Sequence, residues 1–166
     1  MTRIGAVSIG LVLLLSMPVS LEAQTQPAIG GPEGFVQEFL DWYVIQDGWR
    51  AVLQQRRFAV HPDLRALLQA EAAAEESADG GLGGLDFDPF LASQDPCDRY
   101  RAGTVSRRGG RYLVEISGTC PSSGGMTDAV MELESSDSSW VIVNVHYPAL
   151  GTDLWSRLRQ SEDARQ

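Results

Sequence analysis

The chain has 166 residues and a formal net charge of −9, which results from 13 basic and 22 acidic side chains. Every basic residue is arginine, and a chain without lysine excludes Schiff-base chemistry, a phosphate-loop lysine and a Ser-x-x-Lys nucleophile. An acidic surface also argues against nucleic acid and anionic membranes as partners, because neutralising phosphates requires clustered cations.

Residues 1–23 have the three zones of a secretory signal peptide: a charged start at Arg3, an apolar run over 4–19 and a small residue, Ala23, at the end. We expect cleavage after Ala23, which would place the protein in the periplasm or outside the cell and leave it without a membrane partner. The alternative is an uncleaved anchor, because the apolar run is just long enough to span a bilayer. Cleavage removes Arg3 and Glu22 together, so the net charge would stay at −9.

Two amphipathic helices are predicted after a flexible leader at 24–31. The first begins at Pro32, a residue favoured at the first helical position, and runs to about Ile45 with aromatic side chains recurring at helical spacing. The second begins at Pro62 and carries leucines along one face. A short helix is predicted between them, at about 51–57.

Residues 78–95 contain two segments with some features of binding sites. The glycine run at 78–84 has no preceding strand and no Gly-Lys-Ser/Thr, so we predict a mobile loop rather than a phosphate site. Asp86, Asp88 and Asp95 are hard oxygen ligands, but the calcium-loop spacing and its central glycine are absent, so we predict no metal site. Instead, Asp88 is expected to cap a short turn whose apolar residues pack into the core.

A hairpin is predicted next, closed at its open end by the two cysteines of the chain. Residues 100–105 and 112–117 are rich in strand-forming side chains, and the segment 107–110 supplies glycines for a tight turn. A turn that is symmetric within 107–110 places Cys97 opposite Cys120, within reach of a disulfide. In an oxidising compartment a bridge is favoured over two buried thiols, although a bulge would shift this register.

Two further strands follow the hairpin. Residues 126–134 alternate apolar and polar side chains, as expected of a strand with one buried face. Residues 140–147 carry valines on one face, while Trp140, Ile142 and His146 fall on the other. We expect this second face to point outward, as part of a dimer interface or a covered patch.

A last short helix is predicted to be capped by Thr152 or Asp153, to run through Leu158 and to be followed by a polar tail at 161–166. Helices followed by an antiparallel meander predict a single α+β domain over 32–160. In this domain a curved sheet of about four strands wraps around the N-terminal helices, and a short helix follows the sheet.

Three stretches together resemble the domain-of-unknown-function family 3828. They are FVQEFLDWY at 35–43, DPFLASQD at 88–95 and WVIVNVHY at 140–147, and the resemblance covers most of 33–158. The family consists of small exported bacterial proteins that resemble the nuclear transport factor 2-like, cystatin-like cone superfamily. The resemblance implies a fold and an exported location but no reaction and no catalytic residue, and this chain departs from the family in its glycine run and its cysteine pair.

Few residues are suited to catalysis near neutral pH. The sequence contains neither Gly-x-Ser-x-Gly nor His-Glu-x-x-His, and its only histidines are His61 and His146. His61 precedes a proline at a helix start, where a solvated turn residue is expected. His146 has no acid partner that sequence alone can assign, so an interface role is favoured over a general base.

Two functional hypotheses follow. The first is a non-enzymatic envelope protein that binds another protein, as an inhibitor or immunity-like partner does, or binds a second copy of itself. Its contact would be the sheet face that carries Trp140, Ile142 and His146.

The second hypothesis is a small-molecule pocket between the first helix and the sheet, with isomerase or dehydratase activity, by analogy with the superfamily. Its polar lining would be Tyr43, Asp41, Asp95 and Tyr147. Neither hypothesis requires a cofactor.

Overall fold

The computed structural model describes residues 30–77, 85–120, 128–137 and 139–166. The helices are α1 (Pro32–Tyr43), α2 (Arg50–Gln55), α3 (Pro62–Ser77) and α4 (Leu154–Ala164). The strands are β1 (Ala59–Val60), β2 (Tyr100–Arg108), β3 (Arg111–Gly118), β4 (Ala129–Ser135), β5 (Trp140–Tyr147) and β6 (Thr152–Asp153). The predicted signal peptide, most of the leader and the glycine run lie outside the described residues.

Within these residues the strands form one curved sheet that does not close on itself, in the order β1-β5-β4-β3-β2, with β6 also paired to β5. The four long strands are antiparallel, and β1 runs parallel to β5. The α+β class and the four-stranded meander are therefore confirmed. Strands β1 and β6 were not predicted, because two residues are too few to show a period.

The aromatic face of α1 forms the centre of the core. The Phe39 ring stacks on Tyr43 at 5.1 Å between centroids, and it meets Phe58 at 5.3 Å and Phe90 at 5.4 Å. These rings come from α1, from the segment before β1 and from the loop before β2, so one helix face joins three parts of the chain. The helix ends two residues earlier than predicted, which leaves Ile45 78% exposed.

The hairpin forms, but not in the predicted register. Residues 109–110 both have positive φ, +56° and +86°, and make a two-residue turn flanked by the pair Arg108 and Arg111. The prediction that the turn spans 107–110 is wrong, because both glycines are used as the central residues. A bulge between Ala102 and Val105 then shifts the register by one residue.

The disulfide between Cys97 and Cys120 is nevertheless present, with 5.2 Å between the two Cα atoms. Both cysteines lie beyond the ends of β2 and β3. The bulge partly reverses the register shift that the turn introduces, so the two cysteines still lie close together. The neighbouring Gly118 has to be glycine, because a Cβ there would lie 2.7 Å from the sulfur of Cys97. A bridge of this kind is compatible with an exported protein.

A second bulge changes which side chains of β5 point into the core. Ile142 pairs with Leu133 and Asn144 pairs with Glu132, so Val143 is an extra residue on its strand. The carbonyl of Val143 accepts a hydrogen bond of 2.7 Å from the indole Nε1 of Trp155. Because of the extra residue, the side chains in the first half of β5 lie on the opposite face of the sheet from the one that strict alternation predicts.

The prediction that Trp140 and Ile142 point outward is therefore wrong. Both side chains are 0% exposed and lie in the core with Val145 and Tyr147. Trp140 donates from Nε1 to the carbonyl of Gly30 at 3.2 Å. An interface on the sheet cannot be built on these two residues.

The C-terminal helix is longer than predicted. Asp153 is its N-cap and accepts a 3.0 Å hydrogen bond from the backbone N–H of Ser156, but the helix continues to Ala164. Most of the predicted polar tail is thus helical. No helix among the described residues is long and apolar enough to cross a membrane.

The end of α4 is attached to α3 by a buried charge. Glu71 is fully buried and accepts hydrogen bonds from Arg165 at 2.7 Å and from the hydroxyl of Ser161 at 3.1 Å. A buried carboxylate needs such partners. Residues predicted as a tail therefore contribute to the fold.

Candidate functional site

The face of the sheet opposite the core carries a regular set of polar and small apolar side chains. Pairing across the strands places Glu115, Val130 and His146 in one row and Leu113 beside Glu132 in the next. All five side chains are partly exposed. We call this surface the outer sheet face.

A groove of about 290 Å³ runs along the outer sheet face. It is lined by Ser106, Arg108, Leu113, Glu115, Val130 and His146. Two apolar side chains with charged groups around them are a common composition for a site that contacts a protein segment.

Glu132 organises the charges on this face. One of its carboxylate oxygens lies 3.0 Å from Arg111 and the other 2.8 Å from Nε2 of His146. Its side chain is only 15% exposed, so both partners are held in place against the sheet. His146 was predicted for this face, whereas Glu132 and Arg111 were not, because matching them requires the pairing of β3, β4 and β5.

Among the described residues, the imidazole of His146 makes no hydrogen bond to a hydroxyl or a thiol, and its side-chain partner is Glu132. A hydrolase of the serine or cysteine type needs a hydroxyl or thiol within hydrogen-bond reach of the imidazole. Ser106 lines the same groove but lies on β2, three strands from His146, which corresponds to about 14 Å at the usual strand spacing. Both cysteines of the chain are in the disulfide.

Tyr43 and Tyr147, two of the proposed pocket residues, are brought together on the loop before β2. The Tyr43 hydroxyl donates to Asp88 at 2.6 Å, and the Tyr147 hydroxyl donates to the carbonyl of Pro89 at 2.8 Å. Burial raises the pKa of both phenols far above the ordinary value, and the nearby carboxylate of Asp88 adds to the effect. Through these hydrogen bonds both tyrosines hold the loop to the core.

Asp41 and Asp95, the other two proposed pocket residues, are exposed and do not join the tyrosines. Asp41 accepts a 2.8 Å hydrogen bond from the amide of Gln37 and lines a separate groove beside Tyr100 and Arg101. The structure thus does not bring the four residues to one cavity. The three aspartates considered for a metal do not act together either. Asp88 caps its turn instead, by accepting hydrogen bonds from the N–H groups of two core residues that follow it.

A larger cavity, of about 510 Å³, lies between the loop before β2 and α4. Arg157 borders it, 3.5 Å from the carboxylate of Asp86 and over the ring of Phe87. The guanidinium of Arg157 is thus already paired with the carboxylate of Asp86. Among the described residues there is no group of three or more His, Cys, Asp or Glu side chains arranged to hold a metal ion.

The chain matches no known family model, and no curated protein matches it in sequence. Among solved structures it is similar to a chain of the type VI native effector-immunity complex Tae3-Tai3 from Ralstonia pickettii, with a TM-score of 0.51 and 19% identity over 70% of this chain and 94% of that chain. The selenomethionine form of the same complex gives a TM-score of 0.52 and 18% identity over 71% and 97% of the two chains. At this level of identity the similarity is one of fold.

Proposed function

We propose that this protein is exported and acts by binding another protein through the outer sheet face, as an inhibitor or immunity partner of an effector. The observation that carries the proposal is the fold, which covers nearly the whole of a chain known from an effector-immunity complex. The disulfide supports an oxidising location for this activity. Membership of the domain-of-unknown-function family 3828 stays a prediction.

The composition of the outer sheet face favours the blocking partner over the effector. In the part of the chain that the structure describes, no hydroxyl or thiol is hydrogen-bonded to His146 of the His146 and Glu132 pair, and the cysteines are bridged. Its charges are already positioned by contacts within the protein, so binding would cost little side-chain ordering. A rigid surface of this kind is suited to covering a site on a partner.

A competition assay in the native host tests this function. A strain that lacks the gene is mixed with its parent on a solid surface, where neighbouring cells exchange effectors by contact. We expect the parent to displace the deletion strain, and we expect a plasmid copy of the gene to restore survival. Equal survival of the two strains would show that the protein confers no immunity.

A pair of matched variants tests the surface. Val130→Arg places a charge in the middle of the groove, whereas Ile45→Arg makes the same type of change at an exposed position after α1. We expect the plasmid copy with Val130→Arg to fail in the competition assay and the copy with Ile45→Arg to protect. Both proteins should retain the wild-type unfolding midpoint, and protection by Val130→Arg would move the contact away from this face.

A further inference from the structure

The last strand of the sheet, β2, has an open edge over half of its length. Among the strands of the described residues, β2 is the last in the order, and β3 is its one neighbour. Its residues 103–108 are all exposed. An edge of this type offers backbone groups to an added strand unless the protein covers them.

The first half of this edge is covered by a side chain of α1. The amide of Gln37 donates to the carbonyl of Tyr100 at 3.2 Å, and its oxygen accepts from the N–H of Ala102 at 2.9 Å. Gln37 thus makes the two hydrogen bonds that a neighbouring strand would make. The bulge after Ala102 separates this covered half from the rest of the strand.

The second half of the edge directs backbone groups to solvent. Arg108 and Arg111 flank a two-residue turn, so they form a hydrogen-bonded pair, and pairs alternate along an antiparallel ladder. Val105 is three residues before Arg108, so its N–H and C=O point away from β3. Its apolar side chain is also 37% exposed.

The charge of β2 is opposite to that of the whole protein. The strand carries Arg101, Arg107 and Arg108 and no acidic residue, on a chain of net charge −9. Arg107 lies over the ring of Tyr112 at 5.3 Å, and Arg108 lines the groove of the outer sheet face. Glu115 lies across from Gly103, beside the bulge.

We propose that the open half of β2, residues 104–108, binds an extended acidic segment of a partner protein by strand addition. Val105 supplies backbone hydrogen bonds, and Arg108, which lines the groove of the outer sheet face, selects carboxylates on the added segment. The added strand would continue the outer sheet face, so this inference rests on the proposed function for the kind of partner. A second copy of the chain is disfavoured, because two copies of β2 would bring their arginines together with no acidic residue on either strand.

Titration with a synthetic peptide tests the proposal without knowledge of the natural partner. The probe is an eight-residue peptide in which valine and glutamate alternate, and its control has lysine at every glutamate. The isotope-labelled, oxidised protein is titrated with each peptide, and the amide signals and hydrogen exchange are followed by NMR. We expect the acidic peptide to shift the signals of 104–108 and to slow exchange at Val105, and we expect no response to the lysine peptide.

Two changes separate strand addition from simple charge attraction. Methylation of alternate backbone nitrogens in the acidic peptide removes the donors that pair with the edge, and we expect it to abolish the slowed exchange. Arg108→Glu should weaken binding about fivefold or more, whereas Arg56→Glu, at the exposed end of α2, should leave it unchanged. Equal binding of the methylated peptide, equal effects of the two variants, or no binding of the acidic peptide at concentrations on the order of 1 mM would overturn the proposal.

The other occupants of this edge give different results. A dimer in sedimentation experiments that Arg108→Glu abolishes would assign the edge to a second copy, and binding to anionic vesicles that the same variant abolishes would assign it to a lipid surface; either overturns the proposal. The peptide result is also independent of the competition assay. If the acidic peptide binds while the deletion strain survives, strand addition stands and the immunity function falls.

Discussion

Asp88 organises the loop before β2 through its carboxylate. One oxygen accepts from the N–H groups of Phe90 and Leu91, and the other accepts from the hydroxyl of Tyr43. Burial raises the pKa of Asp88, although these three hydrogen bonds act against the rise. The turn was predictable from Asp88 and the proline that follows it, because capping is local, whereas the contact with Tyr43 joins residues 45 positions apart.

Replacement of Tyr43 tests the value of that contact. Tyr43→Phe removes only the hydroxyl and leaves a buried carboxylate oxygen unpaired, so we expect the free energy of unfolding to fall by about 2 kcal/mol. Urea unfolding measures it. Tyr112→Phe is the matched control, because the Tyr112 hydroxyl has no hydrogen-bond partner among the described residues, and its effect should stay within about 0.5 kcal/mol. Equal losses in the two variants would mean that the contact with Asp88 contributes nothing.

At the scale of elements, β5 shows what strand patterns can and cannot predict. Its predicted bounds, 140–147, are confirmed, but the predicted outward orientation of Trp140 and Ile142 is wrong. Alternation assumes two residues per repeat, and no local signal marks the extra residue at Val143, whose carbonyl is satisfied by a tryptophan from α4. Position 146 lies beyond the bulge, which is why His146 is found on the predicted outer face while Trp140 is not.

The cap of α4 gives a prediction with a defined pH dependence. Burial acts to raise the pKa of Asp153, but hydrogen bonds from Ser156 and Asn144 outweigh it and hold that pKa below the usual value. A carboxyl with a lowered pKa in the folded state contributes stability above its unfolded pKa of about 3.9, and this contribution is lost as pH falls through the folded value. Asp153→Ala should therefore cost about 1 kcal/mol at neutral pH and less in acid.

Unfolding by urea at a series of pH values measures this difference between wild type and variant. Asp153→Asn is the control, because asparagine also caps helices but carries no charge, so its deficit at neutral pH should be small. A deficit of Asp153→Ala that grows on acidification would contradict the assignment of the cap.

For the whole molecule, the disulfide is the main covalent constraint on the sheet. Cys97 and Cys120 are 23 positions apart and join the loop before β2 to the end of β3. Replacement of both cysteines by alanine should lower the free energy of unfolding by about 3 kcal/mol in the chain-entropy model. Wild-type protein in a reducing agent should unfold at the same urea concentration as the double variant. An unchanged midpoint in both would show that the bridge does not stabilise the domain.

The α+β class could be predicted because it depends on long periodic segments, such as α1 and β4, in which each residue contributes to the signal. The outer sheet face could be predicted only in part. His146 was found from alternation, whereas Glu132 and Arg111 became its neighbours only through the register of three strands. Features that depend on pairing, including the bulges and the open edge of β2, have no signature in a single segment.

Glu71 and Arg165 are 94 positions apart, and this separation determines when their contact can form during synthesis. At roughly 5–20 residues per second, a growing chain that already contains Glu71 has to wait about 5–20 seconds for the guanidinium that matches it. A nascent chain therefore cannot complete this contact between α3 and the end of α4 until residue 165 has emerged.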